Sequence, residues 1–209
     1  MNNLMILFSV FIFFSSCEKN HHVIHVSATN IVTGSGSQYE GLKFSVVATT
    51  SGVFESNYKN VYEGYLDQNG QASFDLKMKN NKSYKLGIEL PENSCYFNDL
   101  YFSLKHDLKT QTVNIVFAPC AFLKLDITNI NCMGINDSMR FRSKLSFEDW
   151  EIWSSYRVGC YDYVSADYFE IPSGWRIYEW EVNRSGVITT FIDSIYLESG
   201  EYKTFEINY

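Results

Sequence analysis

From residue 23 onward, apolar and polar positions alternate with a period of two, in short runs separated by clusters of turn-forming residues. Leu42, Phe44 and Val46 alternate with Lys43 and Ser45. Ala72, Phe74, Leu76 and Met78 alternate with Ser73, Asp75 and Lys77, and Tyr84, Leu86, Ile88 and Leu90 with Lys85, Gly87 and Glu89. Successive side chains of an extended chain point to opposite faces, so each run predicts a strand with one side on a core and the other toward water. Val113, Ile115 and Phe117 predict a further strand that ends at Pro119. No stretch carries a defensible helical period. The class is all-β, with sheets of the antiparallel, one-face-wet kind.

Asp67-Gln68-Asn69-Gly70 separates Tyr62–Leu66 from Ala72–Met78. Asn and Gly both tolerate φ > 0, so the spacing predicts a hairpin. A calcium-loop reading of Asp67 and Asn69 lacks the acidic ligands such a loop needs downstream. With Gly41 opening a strand, Ala72 and Phe74 following the turn, and then Tyr84-x-Leu86-x-Ile88, residues 23–118 resemble a transthyretin-like (carboxypeptidase-regulatory-like) domain. The resemblance implies a β-sandwich of a kind found in cell-envelope proteins.

Further strands are predicted at Phe122–Ile127, Met139–Phe141, Trp150–Arg157, Cys160–Val164, Phe169–Ile171, Trp175–Val182, Val187–Phe191, Ser194–Leu197 and Lys203–Tyr209. That density of short strands predicts a second sandwich over 119–209, and the fold expected is two tandem antiparallel β-sandwiches, Ig-like or transthyretin-like. Composition changes at the same place. All five arginines and all four tryptophans follow residue 119, and the side-chain charge is −1 before it and −6 after it.

The amino end has a different pattern. Leu4–Phe14 is an uncharged run of 11 residues, short of the roughly 20 that span a bilayer and of the length of a secretory h-region. It leads into Phe14-Ser15-Ser16-Cys17, which resembles the lipobox of bacterial lipoproteins. The resemblance implies that residues 1–16 are removed, that the Cys17 thiol takes a diacylglycerol, and that the new amine is acylated. Each methylene buried in the bilayer then contributes about 0.8 kcal/mol. An aromatic residue three before the cysteine and Glu18 after it are similar to Bacteroidota outer-membrane lipoproteins. Residues 17–22, including His21 and His22, then read as a lipidated tether. The partner so implied is the outer membrane; its periplasmic and extracellular faces both remain open.

The chain of 209 residues carries a net charge of −7, the opposite of the basic footprint of a nucleic-acid binder. Apart from Cys17, the four cysteines are Cys95, Cys120, Cys132 and Cys160. An even number in an exported chain favours disulfides. Pairing within modules gives Cys95–Cys120 and Cys132–Cys160, although Cys120 lies close enough to the boundary to belong to either module. Each would contribute about 3 kcal/mol. Buried free thiols are the alternative; a zinc site lacks both a Cys-x-x-Cys and a well-placed histidine. No metal or other cofactor is expected.

Of the four histidines, His21, His22 and His25 lie in or beside the tether, and His106 alone lies deep in a module. Nucleophilic triads need an imidazole beside their nucleophile, and neither a Gly-x-Ser-x-Gly, a His-Glu-x-x-His nor a glycine-rich phosphate loop is present. Glu148, Asp149, Glu151, Glu179 and Glu181 leave a glycosidase-type carboxylate pair open, but most alternate with aromatics as water-facing strand positions do. A small hydrolase is therefore the third reading. Ten of the 31 residues from 150 to 180 are aromatic. Tyr178, Trp180 and Val182 share one strand face, and Trp175 and Ile177 the other, so at least one tryptophan is expected to be exposed. Core packing accounts for most of the cluster, and Trp150, Trp153 and Trp175 are the candidates for ligand contact. The expected function is a non-enzymatic, lipid-anchored binding or assembly protein, an accessory subunit or an adhesin with an envelope protein as partner. The alternative is capture of a glycan by the aromatic patch.

Overall fold

Alternation along the chain becomes alternation across sheets. The computed structural model describes residues 20–51 and 56–209; Cys17 and the leader lie outside the described residues. The strands in chain order are β1 (His21–Asn30), β2 (Lys43–Ser51), β3 (Ser56–Tyr65), β4 (Gln71–Lys77) and β5 (Ser83–Ile88). Then follow β6 (Ser94–Phe97), β7 (Tyr101–Leu104), β8 (Thr110–Thr128), β9 (Ser138–Leu145) and β10 (Arg157–Val158). The last five are β11 (Tyr163–Val164), β12 (Phe169–Pro172), β13 (Gly174–Arg184), β14 (Val187–Leu197) and β15 (Tyr202–Asn208). Among the described residues, the helical content is one 3-10 turn at Ser37–Tyr39. No helix there is long and apolar enough to cross a membrane, which says nothing of crossing by strands. The fold is all-β.

The chain folds into two compact units. The first contains, of the described residues, 20–29, 35–51, 56–91 and 99–115. One of its sheets has the order β3-β2-β5-β7, and the other sets β1 between β4 and the start of β8. Its core is the inward half of each alternating run: Ile24 and Val26, Phe44 and Val46, Phe74 and Leu76, Leu86 and Ile88, all buried. Phe44, Tyr62 and Phe74 stack there, with Tyr62 and Phe74 centroids 4.0 Å apart.

The second unit contains Asn30–Gly34, Glu92–Asn98 and Val116–Tyr209. One sheet has the order β10-β9-β13-β14. The other is built on the second half of β8, which takes β11 and β12 antiparallel along one edge and β15 parallel along the other. Ala121, Leu123, Leu125 and Ile127 of β8 face Met139, Tyr178, Trp180 and Val182 in a single cluster.

Five expectations need correction. First, β15 pairs with β8 in parallel, so the sandwiches are not purely antiparallel. Second, Asp67–Gly70 is not a hairpin between paired strands: β3 pairs with β2, whereas β4 pairs with β1. The turn itself forms as expected, with Asp67 Oδ1 accepting from the N–H groups of Asn69 and Gln71 at 2.9 and 2.8 Å. That occupies the carboxylate the calcium reading would have used. Gly70 has φ +71° and a Cβ there would meet the Ala28 carbonyl oxygen at 2.7 Å. Its own carbonyl binds the Ala28 N–H at 2.8 Å, which carries the chain over to the other sheet. Third, Pro119 does not end a strand. β8 continues for 19 residues, with an irregular register opposite, between Ser94 and Tyr96, where a missing ladder donor is tolerated. Fourth, His21 and His22 are not tether. β1 starts at His21, and His22 is 2% exposed, with its Nδ1 2.7 Å from the Leu108 carbonyl oxygen and its ring edge-on to His106. His22 continues the buried face of Ile24 and Val26. Fifth, the two short strands expected over 187–197 are one continuous strand, β14.

The cysteines pair as Cys95–Cys120 and Cys132–Cys160, with Cα separations of 4.8 and 5.3 Å. Both bridges lie within the second unit, because residues 92–98 pack there rather than with the strands that precede them.

Candidate functional site

Strands β9 and β13, paired through eight residues, set up the site. Their antiparallel register places Arg140 opposite Glu181, Arg142 opposite Glu179 and Lys144 opposite Ile177. These residues lie on the outer face, because Met139, Tyr178, Trp180 and Val182 take the inner one. Arg140 Nε donates to Glu181 Oε2 at 2.6 Å, and Arg142 Nε to Glu179 Oε2 at 2.6 Å. The hydrogen bond from Arg140 holds the Glu181 carboxyl below its ordinary range.

Trp150–Arg157 does not form the expected strand except at its last residue. It runs irregularly beside β9, where Glu151 N–H donates to the Ser143 carbonyl at 3.0 Å and Ser154 N–H to that of Phe141 at 2.9 Å. This lays three aromatic rings along the cations. Arg140 sits 4.5 Å from the Trp153 centroid and 4.8 Å from that of Tyr156. Arg142 sits 4.7 Å from Trp150 and 4.5 Å from Trp153, and the Lys144 ammonium 5.1 Å from Trp150. The face therefore reads in columns, aromatic, cationic and acidic. Each arginine is neutralised on one side and stacked on the other, which is worth about 0.5–1 kcal/mol per exposed cation–π contact.

Of the three candidate tryptophans, Trp150 and Trp153 belong to this ladder and are half-buried. Trp175 is apart from it, 50% exposed and 5.2 Å from Tyr196. It stands at the end of the β13 column, opposite Tyr196 of a fourth column on the same face, in which Tyr196, Ser194, Ile192, Thr190 and Ile188 of β14 follow one another. Ile192 and Ile188 are 65% and 56% exposed. Ile152, in the loop, is 94% exposed. The arginines and the β14 isoleucines were not singled out in the sequence. The complementary spacing of Arg140-x-Arg142 and Glu179-x-Glu181 was the available signal.

Of the five acids named for hydrolysis, Glu151, Glu179 and Glu181 are engaged by arginines. Glu151 accepts from Arg176 at 2.6 Å and from the Ser143 hydroxyl at 2.8 Å. A general acid needs a raised pKa, whereas that of Glu181 is lowered. Cys95, Cys120 and Glu170 lie close enough to share an ion, but the two sulfurs are bonded to each other. In the first unit a polar concavity of about 480 Å³ is lined by residues such as His25, Ser27, Gln71 and Asn114. None of its lining residues is a Phe, Tyr or Trp.

No protein-family model matches this chain, and no curated protein matches its sequence. Solved structures do match. The Bacillus anthracis TIE protein is 14% identical over 90% of this chain at a TM-score of 0.37, and this chain spans only 34% of that protein's length. GBS52, the minor pilin in the Gram-positive pathogen Streptococcus agalactiae, is 11% identical, with 90% of this chain and 94% of that one covered and a TM-score of 0.32. The shaft pilin SpaA from Lactobacillus rhamnosus GG is 10% identical, with 90% and 97% covered and a TM-score of 0.34. Likenesses this distant concern β-rich folding alone and add nothing to the functional argument. None of them bears on the transthyretin-like or Bacteroidota resemblance.

Proposed function

We propose that this chain is a non-enzymatic binding or assembly protein of the cell envelope, held at the outer membrane by a lipid on Cys17. The observation that carries the binding role is the outer face of the β9–β13–β14 sheet. Its charges are spent on one another and on stacked rings, and beside them stand the exposed Trp175, Ile192 and Ile188. Apolar groups rimmed by a neutralised polar surface mark protein contact. The anchor rests on the Leu4–Phe14 run and the Ser15-Ser16-Cys17 sequence.

Crosslinking of the full chain in intact cells, followed by identification of the attached proteins, tests the binding role. Ile192→Lys and Trp175→Ala are expected to abolish the attachments, and Tyr101→Ala, exposed in the first unit, to leave them. Attachments indifferent to both β13–β14 changes would remove the face from consideration. For the anchor, Cys17→Ala is expected to move the protein from the membrane to the soluble fraction.

Trp175 and Tyr196 support a second reading, in which an exposed aromatic pair stacks on a sugar ring. A glycan array separates the two readings, since the sugar role requires binding that Trp175→Ala removes.

A further inference from the structure

β14 is an edge strand of eleven residues, and among the described residues no strand pairs with its far side. Every residue from Val187 to Ser194 is exposed. Towards its end the edge is engaged: Lys203 Nζ donates to the Tyr196 carbonyl at 2.9 Å, and the Ser194 N–H donates to Asp193 Oδ1 at 2.7 Å. Alternate residues of an antiparallel strand turn their N–H and C=O groups away from the neighbour they pair with, so the stretch before Asp193 offers a row of donors and acceptors to a further strand. Natural edges are blunted by shortness, lysine, proline or a bulge. The opposite edge of the same sheet, β10, follows that rule with two residues, one of them Arg157. β14 does not. It has no proline or lysine, one charge (Asp193), and a register with β13 that runs unbroken through eleven pairs.

We propose that β14 pairs antiparallel with β14 of a second copy of this chain, across a two-fold axis at Thr190, to form one continuous eight-stranded sheet. The inference rests on the reading of this sheet as the binding surface and names the partner. Apolar self-complementarity selects a second copy, and charge permits this register. The residues after 119 carry −6, so two copies repel wherever acidic surfaces meet, and β14 brings one charge, Asp193, from each copy. With Thr190 on the axis, Asp193 of each copy lies opposite Val187 of the other. The two aspartates are then about six residues, roughly 20 Å, apart, beyond the Debye length of about 8 Å in physiological salt. The same register sets Ile188 of each copy against Ile192 of the other on the outer face, so both exposed isoleucines gain an apolar cross-strand neighbour. Moving the axis to Phe191 would set Ile188 against Ser194. On the inner face, Phe191 of the second copy lies opposite Thr189. Thr189 lines a cleft of about 100 Å³ together with Val182, Arg184, Val187, Phe191 and Tyr209.

Site-directed crosslinking tests the pairing in the full chain, expressed in cells. Residues directly opposite in an antiparallel pair have Cα atoms about 4.5–5.5 Å apart, within the range a disulfide accepts. Thr190→Cys is therefore expected to give a reducible species of twice the monomer mass, absent from the unmodified chain and from Ser185→Cys. Adding Ile192→Lys is expected to lower its yield at least about tenfold, since it sets a cation against Ile188 in each pair. A monomer from Thr190→Cys, equal yields at 185 and 190, or indifference to Ile192→Lys would each overturn the pairing. If Thr190→Cys stays monomeric while Ile192→Lys still abolishes attachment to other proteins, only the self-pairing fails. If attachments also survive Ile192→Lys and Trp175→Ala, the binding face itself fails.

Discussion

The two units solve one problem, how to hold a small β-sandwich together, with different chemistry. The first relies on packing. Its core is a stack of Phe44, Tyr62 and Phe74 with buried aliphatics around it, and all its cations are lysines or histidines. The second adds two disulfides, every arginine and every tryptophan. Cys95–Cys120 joins β6 to β8, and part of the rest fastens segments that are not regular strands. Cys132–Cys160 ties a loop to a loop, and the Arg–Trp ladder binds the irregular run 146–156 to the outside of a sheet. Reinforcement therefore accompanies irregularity, and the exposed apolar column lies on the reinforced unit.

The largest test of this contrast is in the first unit. Phe44 is buried and touches both other rings of the stack, and Phe→Ala in such a place costs about 3–5 kcal/mol. In calorimetry of the whole chain, Phe44→Ala is expected to lower the melting of the first unit and leave that of the second. Loss of both transitions together would erase the distinction. The counterpart is Cys132→Ala with Cys160→Ala. Their separation of 28 residues corresponds to about 3–4 kcal/mol in the chain-entropy treatment. That loss is expected in the second transition alone, and an equal shift in the first would show that the units do not melt independently.

Much of this was legible locally, and what was missed is non-local. Period-two alternation predicted the buried faces of β2, β4, β5 and β13, including the division of Tyr178, Trp180 and Val182 from Trp175. The disulfide partners followed from pairing within modules, although Cys95 packs with the second unit and not with the strands before it. The Asn-Gly turn was read correctly as a turn and wrongly as a hairpin, because turn chemistry sets the local bend and not the sheet the next strand joins. His22 was legible and overlooked: it stands two residues before Ile24, but a histidine counted as polar hides the continuation of an apolar face. The ladder needed the register of β9 on β13, a pairing of residues 41 apart, of which the matched spacing of Arg140-x-Arg142 and Glu179-x-Glu181 is the only local sign. Trp150 and Trp153 are candidates for ligand contact by sequence, and their rings lie along arginines of the same chain. Of the three, Trp175 alone stands apart from the arginines, half exposed.

The smallest effect probes the ladder by pH. In the folded chain Glu181 titrates below its ordinary value of 4.5, chiefly through the hydrogen bond from Arg140 and further through the charges of Arg140 and Arg142. A carboxyl whose folded pKa is depressed binds protons more readily when unfolded, so its stabilisation is complete above the unfolded value. It is lost as pH falls through the folded one. The second unit is therefore expected to lose stability from about pH 4.5 downward, with Trp153 fluorescence reporting release of the stacked loop in the same interval. Glu181→Gln removes the titrating group and keeps a hydrogen-bond acceptor for Arg140, so its acid limb should be flatter than that of the unmodified chain. Because the pair is at the surface, the difference is small and shrinks with added salt. Parallel acid limbs for the two proteins would mean that the arginine is held by its rings alone and that the carboxylate column adds nothing to the unit's rigidity.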